Sequence, residues 1–139
     1  SQVAVDQDRE AGRLNWKVDA GADFVITRPV FDAERLHSFL ERVPELSVPI
    51  IAGLRPLTSL REAEFLHNEI PGIQIPDRIL ARIANAEARG EDATRAEGVS
   101  IAMEAFAAVR DSIAGVHIHV ADGNLDGALE LLSEIRDSA

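Results

Sequence analysis

Cysteine is absent from the 139 residues. The chain therefore has no disulfide framework, no thiolate metal site and no thiol nucleophile. Tyrosine is absent as well, and Lys17 is the single lysine among 14 cationic side chains. Against those stand 24 acidic residues, giving a net charge of −10. With no cluster of basic residues, that balance opposes binding to nucleic acid or to an anionic membrane. No apolar run approaches the roughly 18 residues a membrane helix needs. A basic segment followed by an apolar one is not visible at the start, so no leader is expected and a cytoplasmic setting is. There is no G-x-G-x-x-G, no phosphate-binding P-loop and no Ser/His/Asp arrangement.

What is present suits a single domain with a real core: 15.1 kDa, 46% hydrophobic residues and 21 alanines. Residues 6–20 place Ala11, Leu14 and Val18 at helical spacing, with Gly21 as the stop. Phe24-Val25-Ile26-Thr27 is a short β-branched run and predicts a buried strand, ended by Pro29. Asp32 caps a helix carrying Leu36, Phe39, Leu40 and Val43, and Pro44 stops it. Val48 to Leu54 is a continuous apolar run, the pattern of a parallel strand covered on both faces.

Ser59-Leu60-Arg61-Glu62 forms a capping box for a helix to about Ile70. After the Pro71-Gly72 turn, Pro76 opens a helix to about Ala88. Asp92 caps a long helix to about Ser112. Val116 to Val120 is a third strand. Leu125 to Arg136 is a final amphipathic helix with Leu125, Leu129, Leu132 and Ile135 in its stripe.

Strands alternating with helices mean parallel β/α units. Three strands are too few for either common architecture. A closed eight-unit barrel needs roughly 200 residues, and an open doubly wound sheet usually has five or six strands. A segment of a larger barrel, or a small sheet that needs a partner, is expected; otherwise long strand edges stay unpaired.

Several stretches, in order, resemble the methylenetetrahydrofolate reductase family. Lys17-Val18-Asp19-Ala20-Gly21-Ala22, leading through Ile26-Thr27-Arg28 to Phe31-Asp32, is similar to the family's K-V-D-A-G-A…I-T-Q-x-x-F-D segment. Ile50-Ile51-Ala52-Gly53-Leu54-Arg55-Pro56 is similar to its I-I-P-G-I-x-P strand, and Ile73-Gln74-Ile75-Pro76 to its V-x-I-P helix start. Glu97 to Ala102 and Gly115-Val116 with Ile118-His119 continue the series. Pro56 to Arg61 followed by Ala63 to Leu66 is most like the reductase half of bifunctional homocysteine methyltransferase/reductase proteins.

The resemblance implies an α/β fold: the last three βα units of a (β/α)8 TIM-type barrel, occupying residues 1–139 as one partial-barrel domain. It implies a flavoprotein oxidoreductase of one-carbon and methionine metabolism, passing electrons from NAD(P)H through FAD to a folate. The glutamate that protonates the folate and most flavin contacts would lie on the five strands that are missing.

Carried over position by position, Glu10, Arg13, Trp16 and Lys17 would contact FAD; the alternative for Lys17 is an exposed cation at its helix C-terminus. Arg28 stands where the family has a glutamine that hydrogen-bonds the pterin. Glutamine both donates and accepts, whereas arginine only donates and keeps its charge. Arg28 thus marks either an altered specificity or a solvated arginine in a disrupted site. Glu62 falls where some members face the nicotinamide cofactor with a glutamine. Phe65 and Leu66 fall at or beside an aromatic that packs on the ligand, with helix-face packing as the plainer reading. Leu125, or Asn124 in the bifunctional branch, replaces an arginine that contacts the nicotinamide cofactor.

His117 and His119 are two apart on a strand and share a face. A zinc site needs at least a third ligand, so a hydrogen-bonded, buried imidazole is the expectation and no metal is. His37 and His67 fall on helix surfaces without a signal. Two functions stay open. One is a reductase whose activity needs the missing strands. The other is a non-catalytic part-barrel that self-associates. Both expect a homo-oligomer or a separate N-terminal half-barrel, with a folate-like small molecule as partner in the first.

Overall fold

The computed structural model describes residues 21, 23–42, 48–121 and 123–138. Three strands, β1 (Val25–Pro29), β2 (Ile50–Leu54) and β3 (Gly115–Ile118), form one parallel sheet in the order β1-β2-β3. Between them run α1 (Ala33–Glu41) and then α2 (Leu60–Glu69), α3 (Asp77–Glu87) and α4 (Glu91–Val109); α5 (Leu125–Asp137) closes the chain. This is a partial α/β fold of the kind the alternating pattern predicts, with each strand shifted by a residue or two from its expected bounds.

The β1–β2 ladder is irregular between Ile26 and Pro29. Pro29 has no N–H to give. A side chain joins the pairing here: the Gly53 N–H donates to Thr27 Oγ1 at 3.0 Å, and the Val30 N–H donates to the Gly53 carbonyl at 2.9 Å. Beyond β3 the pairing continues, with the His119 N–H donating to the Leu54 carbonyl at 2.7 Å.

One face of the sheet is covered by helices. Ala52 and Leu54 of β2, each 0% exposed, meet Leu36 of α1, Val99, Ala102, Ala105 and Val109 of α4, and Leu131 of α5. A second core lies among α2, α3 and α4 and includes Leu57, Leu66, Ile75, Ile83 and Ile101. Helix α4 therefore buries residues on two sides, Ala102 toward the sheet and Ile101 toward the second core. Gly98 on α4 lies against the backbone of Leu57, and a Cβ there would overlap the Leu57 carbonyl oxygen.

The opposite face of the sheet belongs to neither core. Alternation puts Ile51, Gly53 and His117 there with Ile26. Ile26 is 49% exposed, and Phe24 and Val120 flank the strands more than half exposed. Among the described residues, the strands are thus covered on one face rather than on two.

Local signals hold with three corrections. Asp32 Oδ1 accepts from the Glu34 N–H, and Ser59 Oγ from the Glu62 N–H. The Glu62 carboxylate, however, turns to Thr58, accepting from its N–H and its hydroxyl. The long helix begins at Glu91 with Gly90 as N-cap at φ +115°, not with Asp92. Glycine accepts that backbone without strain, and the Thr94 hydroxyl donates to the Gly90 carbonyl. Asp92 sits in the first turn, solvated beside Arg95. The helix ends at Val109, and Arg110–Ser112 form a 3-10 turn.

The third correction is the stripe of α5. Leu125, Leu129 and Leu132 are all more than half exposed, while Ala128 and Leu131 are buried and Ile135 packs partly against the sheet-side core. Two sets of positions share helical spacing here, and α4 selects the smaller one, which lets the helices approach closely.

Candidate functional site

In parallel β/α architectures, chemistry collects at the C-terminal ends of the strands. Here those ends bring together Thr27 and Arg28 from β1, Gly53 and Arg55 from β2, and His119 just past β3. Gly53 is their meeting point. A Cβ on it would stand 2.8 Å from the Thr27 carbonyl oxygen, 3.1 Å from His119 Nε2 and 3.2 Å from the Arg28 carbonyl carbon. Only glycine lets the three strand ends converge this closely.

Arg28 is exposed, and its side chain crosses the Pro71-Gly72 turn, so that a Cβ on Gly72 would meet its Cδ at 3.0 Å and its Nε at 3.1 Å. The Thr27 hydroxyl donates to the Arg28 carbonyl at 2.8 Å, which sets the backbone at this corner. Glu62 reaches the same end from α2. Besides its bonds to Thr58, it lies 3.6 Å from Nη2 of Arg55. Phe65 is 56% exposed on α2, whereas Leu66 is buried in the second core and presents nothing to a ligand.

The two histidines share a face, with ring centroids 4.5 Å apart and the planes tilted by 45°. They differ otherwise. His117 is exposed, contrary to the expectation of a buried, bonded imidazole, because no described element covers that face. His119 has its Nε2 buried, without a hydrogen-bond partner among the described residues. Burial first, then His117 and Arg55, hold the His119 imidazole below its ordinary range, so it is neutral at pH 7. Among the described residues no group of three or more His, Asp or Glu can hold a metal ion.

Asn124 and Leu125 offer no cation. Asn124 is 5% exposed and donates from Nδ2 to the Pro56 carbonyl at 3.3 Å, tying the start of α5 to the loop after β2. Leu125 faces solvent. Glu10, Arg13, Trp16 and Lys17 lie outside the described residues.

Sequence reasoning passed over two groups. Arg55 was visible only as the variable residue of a strand motif; its enclosed Nε is a product of tertiary packing. His67 carried no signal, yet its Nδ1 accepts the Ile75 N–H at 3.0 Å and anchors the loop between α2 and α3.

Residues 3–132 match the family model described as Methylenetetrahydrofolate reductase. Methylenetetrahydrofolate reductase 2 of Saccharomyces cerevisiae (strain ATCC 204508 / S288c) is 30% identical over 124 residues, covering 87% of this chain and 20% of that protein. The probable methylenetetrahydrofolate reductase (NADPH) of Caenorhabditis elegans is 28% identical over 125 residues, 88% of this chain and 19% of its own length. The chain thus spans about a fifth of the length of these curated relatives. Among solved structures, an uncharacterized protein from Clostridium thermocellum that binds two copies of 5-methyl-5,6,7,8-tetrahydrofolic acid superposes with a TM-score of 0.61 at 21% identity. That superposition covers 94% of this chain and 49% of the other, and it supports the fold.

Proposed function

The chain belongs to the methylenetetrahydrofolate reductase family, and on that premise we propose that it supplies the last three βα units of a reductase barrel acting on a folate-type substrate. The observation that carries this reading is the one-sided sheet. Three parallel strands keep sequence order, their helices lie on one face, and the other face and the strand C-terminal ends stay open. That arrangement is the one expected of the inner wall and mouth of a barrel cut lengthwise.

Within that assembly, Arg28 stands at the mouth as a fixed cation with donors only. Glu62 is held by Thr58 and Arg55 and orients the α2 end of the mouth. FAD, when bound to the assembled barrel, supplies hydride chemistry; Glu10, Arg13, Trp16 and Lys17 would hold it. NAD(P)H is the proposed reductant. The described residues do not fit a charged contact to it at Asn124 or Leu125, since one is buried against Pro56 and the other is apolar. The 139-residue chain by itself is therefore read as inactive, with the catalytic acid supplied from elsewhere in the barrel.

The test is optical. Purified from cells, the 139-residue chain is expected to be colourless, lacking stoichiometric flavin absorbance. A yellow protein with one flavin per chain contradicts the reading. A second reading, a non-catalytic part-barrel that self-associates, draws on Arg28 and Leu125, two positions where the implied ligand contacts are lost. Failure to bind 5-methyltetrahydrofolate even after a complementary half-barrel is supplied favours it.

A further inference from the structure

Helix α5 carries three of the seven large apolar side chains that are exposed among the described residues: Leu125, Leu129 and Leu132, at 58%, 53% and 51%. Exposed leucines scattered singly are ordinary, but these are aligned. At 3.6 residues per turn, positions 125, 129, 132 and 136 fall on one line along the helix. The helix has a separate core face, where Gly127, Ala128 and Leu131 are buried. Helices α3 and α4 expose no large apolar side chain, so the leucine line belongs to α5 and not to the outer layer in general.

The flank away from the core face is acidic. Asp126, Glu130, Glu134 and Asp137 form a ridge beside the leucines, and Arg136 at the end of the line is the one cation of α5. Both Arg136 and Asp137 are exposed, with Nε and Oδ1 3.6 Å apart. A surface laid on this line meets leucine in the middle, carboxylates along one side and a guanidinium at the far end.

We propose that the line is a docking seam for an amphipathic helix whose apolar stripe is bordered by lysine or arginine, borne by the polypeptide that completes the barrel. The source of that helix rests on the part-barrel reading; its chemistry rests on α5. Steps of four and three residues are the spacing of a seam between two helices. A basic border fits the acidic ridge, whereas a second copy of α5 sets carboxylate against carboxylate between molecules of net charge −10. The chain also leaves room for a supplier. It spans about a fifth of its curated relatives, and in the Clostridium thermocellum protein the matched part is 49% of the chain, so about as much polypeptide again accompanies it there. In a closed outer ring each helix has a neighbour on both sides; among the described residues α5 packs on α4 and its leucine line stays bare.

The experiment follows the leucine methyl groups by NMR in the isotope-labelled 139-residue chain. Three short stapled helices are the probes: one with a leucine line and lysine borders, one with the same line and glutamate borders, and one with lysine borders and serine in place of leucine. Saturable shifts at Leu125, Leu129 and Leu132 are expected with the first, and binding at least about tenfold weaker with the other two. Leu129→Gln, at an exposed side chain, should weaken the first probe about tenfold. Glu130→Gln should weaken it roughly two- to fivefold and make it less sensitive to salt.

Equal binding of the three probes, or equal affinity in wild type and Leu129→Gln, overturns the seam. Shifts at the same leucines that grow with protein concentration alone, and that Leu129→Gln abolishes, assign the line to a second copy and overturn it as well. The first five βα units of a family reductase, added to the labelled chain, separate the seam from the part-barrel reading. Their binding should weaken with Leu129→Gln. Binding that this variant leaves unchanged overturns the seam and lets the part-barrel stand. Selective binding of the leucine and lysine helix without binding of the half-barrel upholds the chemistry of the seam and counts against the part-barrel.

Discussion

The two faces of the sheet are built from the same strands, yet they end in opposite states. On one, Ala52 and Leu54 are sealed under α1, α4 and α5. On the other, one residue along, Ile51 is half-buried, and its β1 neighbour Ile26 is 49% exposed. The difference lies in the covering layer, not in the strands. Both faces carry apolar side chains because both are meant to be covered. Each one left bare forgoes about 1.5–3 kcal/mol of burial, a large share of the roughly 5–15 kcal/mol of a whole domain.

The sharpest contrast comes from truncating the packed face. Leu54→Ala, at a fully enclosed side chain between sheet and helices, is expected to cost about 2–5 kcal/mol in urea unfolding. Next comes Gly98→Ala, which drives a methyl into the Leu57 backbone where α4 meets the loop after β2. Overpacking of this kind costs about 1–3 kcal/mol, and an unchanged urea midpoint would show that α4 can shift without loss.

On the open face, Ile26→Gln should leave the stability of the single chain within about 0.5 kcal/mol. It should lower the average solution mass, since a polar group there disfavours any partner surface. A large drop in stability instead would mean that Ile26 is already covered.

The smallest expected effect is electrostatic. His119 titrates below its ordinary value in the folded chain, so the unfolded chain binds more protons over that window. Stability then rises with pH there: it is complete above about pH 6.5, falls as pH drops below it, and levels off beneath the depressed folded value. His119→Gln should flatten that part of the profile, measured by unfolding midpoints on either side of pH 6.5. The ring is partly solvated, so the slope is shallow.

The fold was readable where local chemistry decides it. Among the described residues, β-branched runs, Asp32 and Ser59 place strands and helices to within about three residues. Gly90 displaced Asp92 as a cap because a left-handed turn between two helices needs glycine more than it needs a side-chain acceptor. The rotation of α5 was not readable, since Leu125/Leu129/Leu132 and Ala128/Leu131/Ile135 fit a helical face equally well and the neighbouring α4 chooses. The place of Arg28 at the end of β1 was legible; its part in a site is a proposal. Arg55 and the enclosed nitrogen of His119 were not legible, because their lack of partners arises only when three strand ends converge over Gly53. The Glu10 to Lys17 group remains an expectation of the resemblance alone.

Among the described residues one sheet face is open and β1 and β3 are the sheet's edges, which makes one property decisive: whether the chain stands alone. Sedimentation velocity on the purified protein at micromolar concentration measures it directly. A mass well above 15.1 kDa, reduced toward that value by Ile26→Gln, is the predicted result. A stable, cooperatively folded 15.1 kDa monomer would show that three strands close their own core and would contradict the part-barrel.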